Sequence, residues 1–522
     1  MSIGDGRKRI IIEKEINRDT LLEILSEAMA IHQNNVTDFK YLIKYYKGKQ
    51  DILNRSSTSA GYNSQINNKT VVNYAYSSSR DIVGYLFSKS TQYICKDTNH
   101  RKEVEEISNM FNYENGALVD HEAATWASIT GMSYLLTLPS KELLSDYMPD
   151  IPVINYAPDI MTTFVIQSAK IGNPVTMAVT YYTDKKNTYY ICYTDSRIYT
   201  ITCKGNYSFT VNPNSVIEIT EENNPVGLIP IVQVKNNQFM LGDFEVAISV
   251  LNAINQLASD TLNDIENVIK SLLVVIGAEI TGDVVSKVKQ NRILNLIAGT
   301  EKEQLDAKFI YQQLDAQGMQ NIREYLEEAY KQIIGIPDRK TRGGGGGDTG
   351  DAVKLRDGWA DIEIVARIKE QYFTSAKMKQ IAVAVRIMKQ LNMLSKDFST
   401  RYMDIKLPRN TMDNLQTKAQ AFSTFNGTKV LHPADSLDMV GITTDVEAKI
   451  ERGKEYWREV EEHNLELEQR KVEMNAEAKG NNEGVVQKQE QKNQHNTDIK
   501  ETKARKDAIK AEQGKQKRGR IY

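Results

Sequence analysis

From Asp243 the chain carries a long apolar stripe. Ala247, Leu251, Ile254, Ala258, Leu262, Ile265, Ile269, Leu272 and Ile276 recur with a period near 3.6, uninterrupted by glycine or proline. At ~1.5 Å per residue, a helix over 243–277 is on the order of 50 Å long, well beyond the usual three to four turns. A stripe of that length has to be covered. The next helical pattern, Met319, Ile322, Leu326, Ala329 and Ile333, stops at Gly335 and Pro337 and is shorter. Residues 278–312 between them read as a small mixed insert centred on Ile293, Leu294, Leu296 and Ile297. The expected unit is a helical hairpin, 243–277 with 313–336, whose apolar face exceeds what its own partner covers. Such faces mark association with further copies.

Directly after the second helix comes GIPDRKTRGGGGGDTGDAV, starting at Gly335, and beyond it another helical stretch from Asp351 to about Leu394. Gly345, Gly347 and Gly350 match G-x-G-x-x-G, but that motif binds a dinucleotide only between a strand and a helix, and a helix precedes it here. Gly345 and Gly350 also have P-loop spacing, yet Asp351-Ala352 stands where Lys-Ser/Thr would hold phosphate and magnesium. A phosphate cradle is excluded. A linker or a mobile loop touching a moving partner remains, and the dense basic residues beside the glycines favour the second.

Other chemistry is sparse. His121-Glu122 begins an HExxH pattern that fails at Thr125, and the six histidines are scattered. Cys95, Cys192 and Cys203 have no metal-ligand spacing, and their small odd number fits a reducing compartment. No catalytic residue, metal site or cofactor is expected. Net charge is −2, which argues against a wholly basic nucleic-acid-binding surface but permits local basic patches. The N-terminus lacks a signal-peptide apolar run, and the longest apolar block, from Ser271, is about half a bilayer span, so no membrane is implied.

The fold class is α+β, mainly helical. Residues 19–33 form a helix behind Asp19 and Thr20 as candidate caps. About 150–234, segments such as VTMAVTYYT, NTYYICYTD and RIYTITCKG alternate with turn residues and predict an antiparallel meander, whose tyrosines pack on sheet faces. A charged helix is expected over 443–475. After Lys479 the only large aliphatics before Ile521 are Val485, Val486, Ile499 and Ile509, which fits a disordered segment or a frayed helix over 476–522.

Three stretches carry a resemblance to a known family. NNKTVVNYAYSSSRDIVGYLFSKSTQY starts at Asn67; NPVGLIPIVQVKNN, from Asn224, is followed by GDFE; and IIGIPD precedes the glycine-rich segment and a helix containing ARIKEQYF. Their order and spacing, over roughly residues 35–460, resemble the SPP1-like portal proteins of tailed bacteriophages. FSKSTQY replaces a glycine-proline ending after Val-Gly-Tyr, and the glycine run is richer than the family pattern.

The resemblance implies a ring, near a dodecamer, forming a DNA channel at one capsid vertex of the virion, assembled in the host cytoplasm. It makes 1–242 and 352–420 the two parts of the wing, 243–277 and 313–336 the stem helices, and 278–312 the clip. It makes 337–351 the tunnel loop and 421–475 the crown. The DNA-facing residues it implies are Arg339, Lys340, Arg342, Gly343, Gly344, Gly345, Gly346, Gly347 and Asp348. Implied partners are double-stranded DNA without sequence specificity, the terminase packaging motor, scaffold and major capsid proteins, and head-completion (adaptor) proteins. Asp260, Asp264, Glu266, Glu324, Glu327 and Glu328 are candidate carboxylates facing that channel, with solvated or intersubunit pairs as the alternative for each. The rival functions are a cytosolic oligomeric scaffold or adaptor with a helical hairpin, and a metal-dependent DNA-processing enzyme.

Overall fold

The computed structural model describes residues 4–56, 66–113, 115–140, 152–205, 215–269, 272–276, 306–310, 315–337, 359–409, 415–427, 436–437, 440, 446–479, 492 and 495–506. The chain is a mixed helix and strand protein in two compact units, 1–419 and 420–522. In the first, α1 (Leu21–Tyr46) and α2 (Tyr74–Phe87) precede β1 (Gln92–Cys95), α3 (Arg101–Tyr113), α4 (Gly116–Thr130), β2 (Met132–Pro139) and β3 (Val153–Tyr156). Of the two candidate caps, Thr20 occupies the N-cap position of α1. The Thr20 side chain makes no cap bond, and Asn17 Oδ1 instead accepts from the amides of Asp19 and Thr20.

A five-stranded antiparallel sheet follows in plain sequence order: β4 (Thr163–Gln167), β5 (Val175–Thr183), β6 (Asn187–Tyr193), β7 (Arg197–Lys204) and β8 (Val216–Asn223). β9 (Ile231–Lys235) leaves that sheet and pairs with β2, on whose other edge β3 lies. The meander is thus shorter than the 150–234 pattern, because its two outermost strands pair with β2.

Alternation along the five strands gives the sheet two buried faces. Phe164, Ile166, Met177, Val179, Tyr190, Cys192, Tyr199 and Ile201 meet Ile10, Ile12 and the first half of α1. Val165, Ala178 and Tyr193 join a central core with the second half of α1 and β2. The strand tyrosines pack within the sheet; Tyr182 and Tyr189, for example, stack with centroids 4.9 Å apart.

The same core takes in α5 (Ile248–Ile269), entered through a 3-10 turn at Glu245–Ala247, and α6 (Ala316–Ile334). The helix expected over 243–277 is therefore interrupted. Leu272–Ile276 is a strand, β10, paired antiparallel with β11 (Asp306–Ile310). A run of Leu, Val and Ile suits a strand as well as a helix, and pairing with a distant segment decides between them. The rest of 278–312 lies outside the described residues.

α7 (Trp359–Gln390) packs its first half against α2, α4 and β9, and its second half against α3 and β12 (Met403–Lys406), which pairs with β1. α8 (Leu415–Gly427) follows, and the second unit contains α9 (Val446–Lys479), whose described side chains are almost all exposed. Residues 495–506, within the segment read as disordered or frayed, are helical. Among the described residues no helix is long and apolar enough to cross a membrane.

Candidate functional site

α5 and α6 form an antiparallel pair rooted in the central core. Thr261, late in α5, reaches Met319, early in α6, while Tyr330 and Ile334, late in α6, share the core of Leu251 and Ile254. Burial fades along both helices in the same direction. Leu251 and Ile254 are buried, whereas Leu262 and Ile265 are 43% and 42% exposed; Tyr330 and Ile334 are buried, whereas Ile322 and Tyr325 are 54% and 69% exposed. Asp315 starts α6 by accepting from the Gly318 amide at 2.8 Å, and Gly335 ends it in the left-handed conformation, φ 68°.

One flank of α5 is polar for a reason the apolar pattern conceals. Asn255, Ser259 and Asn263, four residues apart, accept the amides of Val72, Thr70 and Asn68, two residues apart, at 2.7, 2.9 and 2.8 Å. Four helical residues rise ~6 Å and two extended residues span ~6.6 Å, so the two repeats nearly match. Residues 66–73 thus strap the helix as a strand would, with α5 side chains in place of a neighbouring backbone.

The six candidate carboxylates have mixed fates. Asp260 pairs with Arg55 at 2.5 Å, Glu266 accepts from Asn68 at 3.0 Å, and buried Glu327 pairs with Arg323 at 2.8 Å. Glu327, after burial itself, also helps push the Tyr74 hydroxyl up to about 12. Glu324 accepts from Gln320, and Asp264 and Glu328 are exposed. Four of the six therefore have cationic or amide partners within the chain, a possibility that helical spacing alone does not reveal.

Arg339, Lys340, Arg342, Gly343, Gly344, Gly345, Gly346, Gly347 and Asp348 lie outside the described residues. Their two anchors are described. Pro337 is buried, and a Cβ added to Gly335 would meet Val365 Cγ2 at 2.7 Å and the Asp361 carbonyl oxygen at 3.5 Å. The end of α6 and the start of α7 are therefore in contact.

α7 in turn is fastened by polar groups within its apolar face. Lys377 Nζ lies 2.7 Å from Asp120 Oδ1, with both side chains buried, and Gln380 donates to Thr137 Oγ1 and Asn155 Oδ1. Lys369 Nζ bonds Asp243 and Asn236. Sequence reading missed all of these; the available signal was a lysine recurring on a face otherwise filled by Ile362, Ala366, Phe373 and Ala376. His121 is an ordinary helical residue whose carbonyl accepts from Thr125 Oγ1. Among the described residues no group of three or more His, Cys, Asp or Glu is placed to hold a metal ion.

The family model described as "Phage portal protein, SPP1 Gp6-like" matches residues 25–463. Among solved structures, a chain from the neck of an empty GTA particle computed with C6 symmetry is similar at 12% identity, with 71% of this chain and 90% of that chain covered and a TM-score of 0.42. A chain from the neck of a native GTA particle computed with C12 symmetry gives 11%, 71%, 90% and 0.41. The comparison with curated proteins gives no match.

Proposed function

The chain belongs to the SPP1 Gp6-like family of phage portal proteins, and from that premise we propose that its copies close into a ring, near a dodecamer, around a channel for double-stranded DNA. The ring occupies one capsid vertex of the virion, admits the genome during packaging and releases it at ejection. It docks the terminase motor, the scaffold and major capsid proteins and, later, the head-completion proteins. In this reading 243–277 and 313–336, which contain α5 and α6, are the stem, 278–312 the clip, 421–475 the crown, and 1–242 with 352–420 the wing. Residues 337–351 are the tunnel loop, with Arg339, Lys340 and Arg342 giving salt-sensitive, sequence-independent contacts to passing phosphates.

One observation carries the ring. Ile322, Tyr325, Ala329 and Ile333 fall on one side of α6, next to its buried face, and Ile322, Tyr325 and Ile333 are half-exposed or more. The apolar sector of α6 is wider than α5 covers, and burying one such side chain contributes about 1.5–3 kcal/mol. A neighbouring copy of the hairpin supplies the missing cover. The test is light scattering with negative-stain imaging of the purified protein at micromolar concentration and physiological salt. Rings that Ile322→Asp with Ile333→Asp disperses are expected; a monodisperse parent monomer sinks the reading. For the loop, replacing Gly343 through Gly347 by alanine should leave rings intact and impair packaging or retention of DNA. Equal packaging and retention would make that segment a passive connector.

A further inference from the structure

The root of α5 is gripped by two cations supplied from distant parts of the chain, buried Arg7 and partly buried Lys369. On one side Lys369 Nζ, from α7, lies 2.5 Å from Asp243 Oδ1 and also donates to Asn236 Oδ1. Asp243 is held further by Ser128, whose hydroxyl donates to Oδ2 at 2.6 Å and whose carbonyl accepts the Asp243 amide at 2.7 Å. Four elements thus meet at one carboxylate: the end of α4, the residue after β9, the approach to α5, and α7. Two residues on, buried Glu245 accepts from the Arg7 guanidinium, the Gly4 amide at 3.1 Å and the Gly242 amide at 2.9 Å, and Arg7 Nη1 lies 3.3 Å from Asp38.

Buried pairs of this kind are poor sources of stability. Replacing both partners by uncharged groups of similar volume is often neutral, whereas removing one strands the other. What a pair does supply is direction, since an N···O contact at bonding distance fixes orientation where apolar surfaces can slide. The surroundings of Lys369 are apolar: with Ile82, Val83, Leu86, Phe87 and Phe373 it lines a small cleft between α2, α4, β9 and α7.

We propose that Lys369 is a positioning residue for the channel: its bond to Asp243, seconded by Arg7–Glu245, sets the angle at which α5 leaves the body. The inference rests on the ring reading above. Because every copy repeats the contact, a small change of angle at the root is repeated around the ring and alters the bore at the far end of α5. Lys369 itself need not touch DNA.

The experiment compares parent, Lys369→Met with Asp243→Asn, and Lys369→Arg as assembled rings. Melting temperature, the α5 direction in averaged electron micrographs, and retention of packaged DNA in particles carrying each ring are measured. The neutral pair should assemble and melt like the parent, yet show a changed α5 direction and at least a tenfold loss of retained DNA; Lys369→Arg should restore both. Should that double variant not fold, Lys369→Gln with Asp243→Asn, which keeps a donor and leaves no unpaired charge, carries the same comparison. Parent-like direction and retention in the neutral variant overturn the inference. So does a loss of retention that merely follows a loss of melting temperature. A parent chain that forms no ring overturns the ring reading itself, which the imaging shows before any variant is compared.

Discussion

Substituting Lys377 by methionine tests how α7 is held. Its ammonium lies 2.7 Å from Asp120 Oδ1 and 4.4 Å from the Phe111 ring centroid, and the lysine and aspartate side chains are 0% and 3% exposed. The other aspartate oxygen accepts from Thr91 Oγ1 at 2.7 Å. Lys377→Met therefore leaves a buried carboxylate with one hydroxyl for company, at a cost of about 3–5 kcal/mol. Asp120→Asn alone leaves a buried ammonium with only an amide oxygen and should cost a similar amount. Methionine and asparagine together fill nearly the same volume without charge, so the double variant should lie within about 1 kcal/mol of the parent. The singles thus overshoot the double strongly, with a coupling free energy of several kcal/mol, about the magnitude expected for directly bonded residues or above it. Urea unfolding followed by fluorescence, with Trp126 on the same helix as Asp120, measures all four proteins. Single substitutions that each cost under about 1 kcal/mol, or a double as damaging as their sum, would refute the reasoning.

Three further outcomes are expected. Gly131, at φ 87°, would place a Cβ 1.8 Å from the Met240 carbonyl oxygen, so Gly131→Ala should cost more than about 2 kcal/mol in the same measurement; the left-handed backbone alone accounts for roughly 1–2. Ser259→Ala should strand the Thr70 amide and speed hydrogen exchange across residues 68–72 while β5 to β7 exchange as before; unchanged exchange in the strap would contradict the ladder. His32 is buried with Nε2 donating to the Met161 carbonyl at 3.0 Å, and burial lowers its pKa from 6.5 to about 4. The unfolded chain then takes up the proton first as pH falls. Stability from this group is full above about pH 6.5, is lost between pH 6.5 and 4, and amounts to at most about 3 kcal/mol. His32→Gln should flatten that part of the melting-temperature profile, and an unchanged slope would show that other groups cause it.

Local rules found much of this fold in the sequence. Gly335 and Pro337 marked the end of α6, and alternating tyrosines and valines marked β5 to β7, because caps and pleats are decided within a few residues. They failed where distant chain decides. Leu272–Ile276 continued the apolar period of α5, and only its partner Asp306–Ile310 makes it a strand. Thr20 does stand at the N-cap of α1, but its side chain makes no cap bond, and Asn17, one turn earlier, holds the amides of Asp19 and Thr20. At the candidate site the hairpin and its surplus apolar face were legible. The partners of Asp260, Glu266 and Glu327 were not, and nor was the polar ladder, since Asn255, Ser259 and Asn263 look like an ordinary solvated flank until residues 66–73 are laid along them.

The grip on α5 also bears on when the protein becomes able to assemble. β4 to β8 pair with one another in sequence order, with residues 10–12 bridging to Gln167 at the β4 edge, so that sheet closes mostly short loops and can form early. The root of α5 is different: Lys369 is 126 residues from Asp243, and Arg7 is 238 residues from Glu245. Closing loops of that length comes late, and during synthesis the Lys369 contact cannot form before α7 has emerged. A ribosome-bound or truncated chain ending before Lys369 would carry a finished sheet and an unset α5. In the ring proposed above, the same contact then also acts as a timer, since a chain that lacks α7 lacks the contact that sets α5.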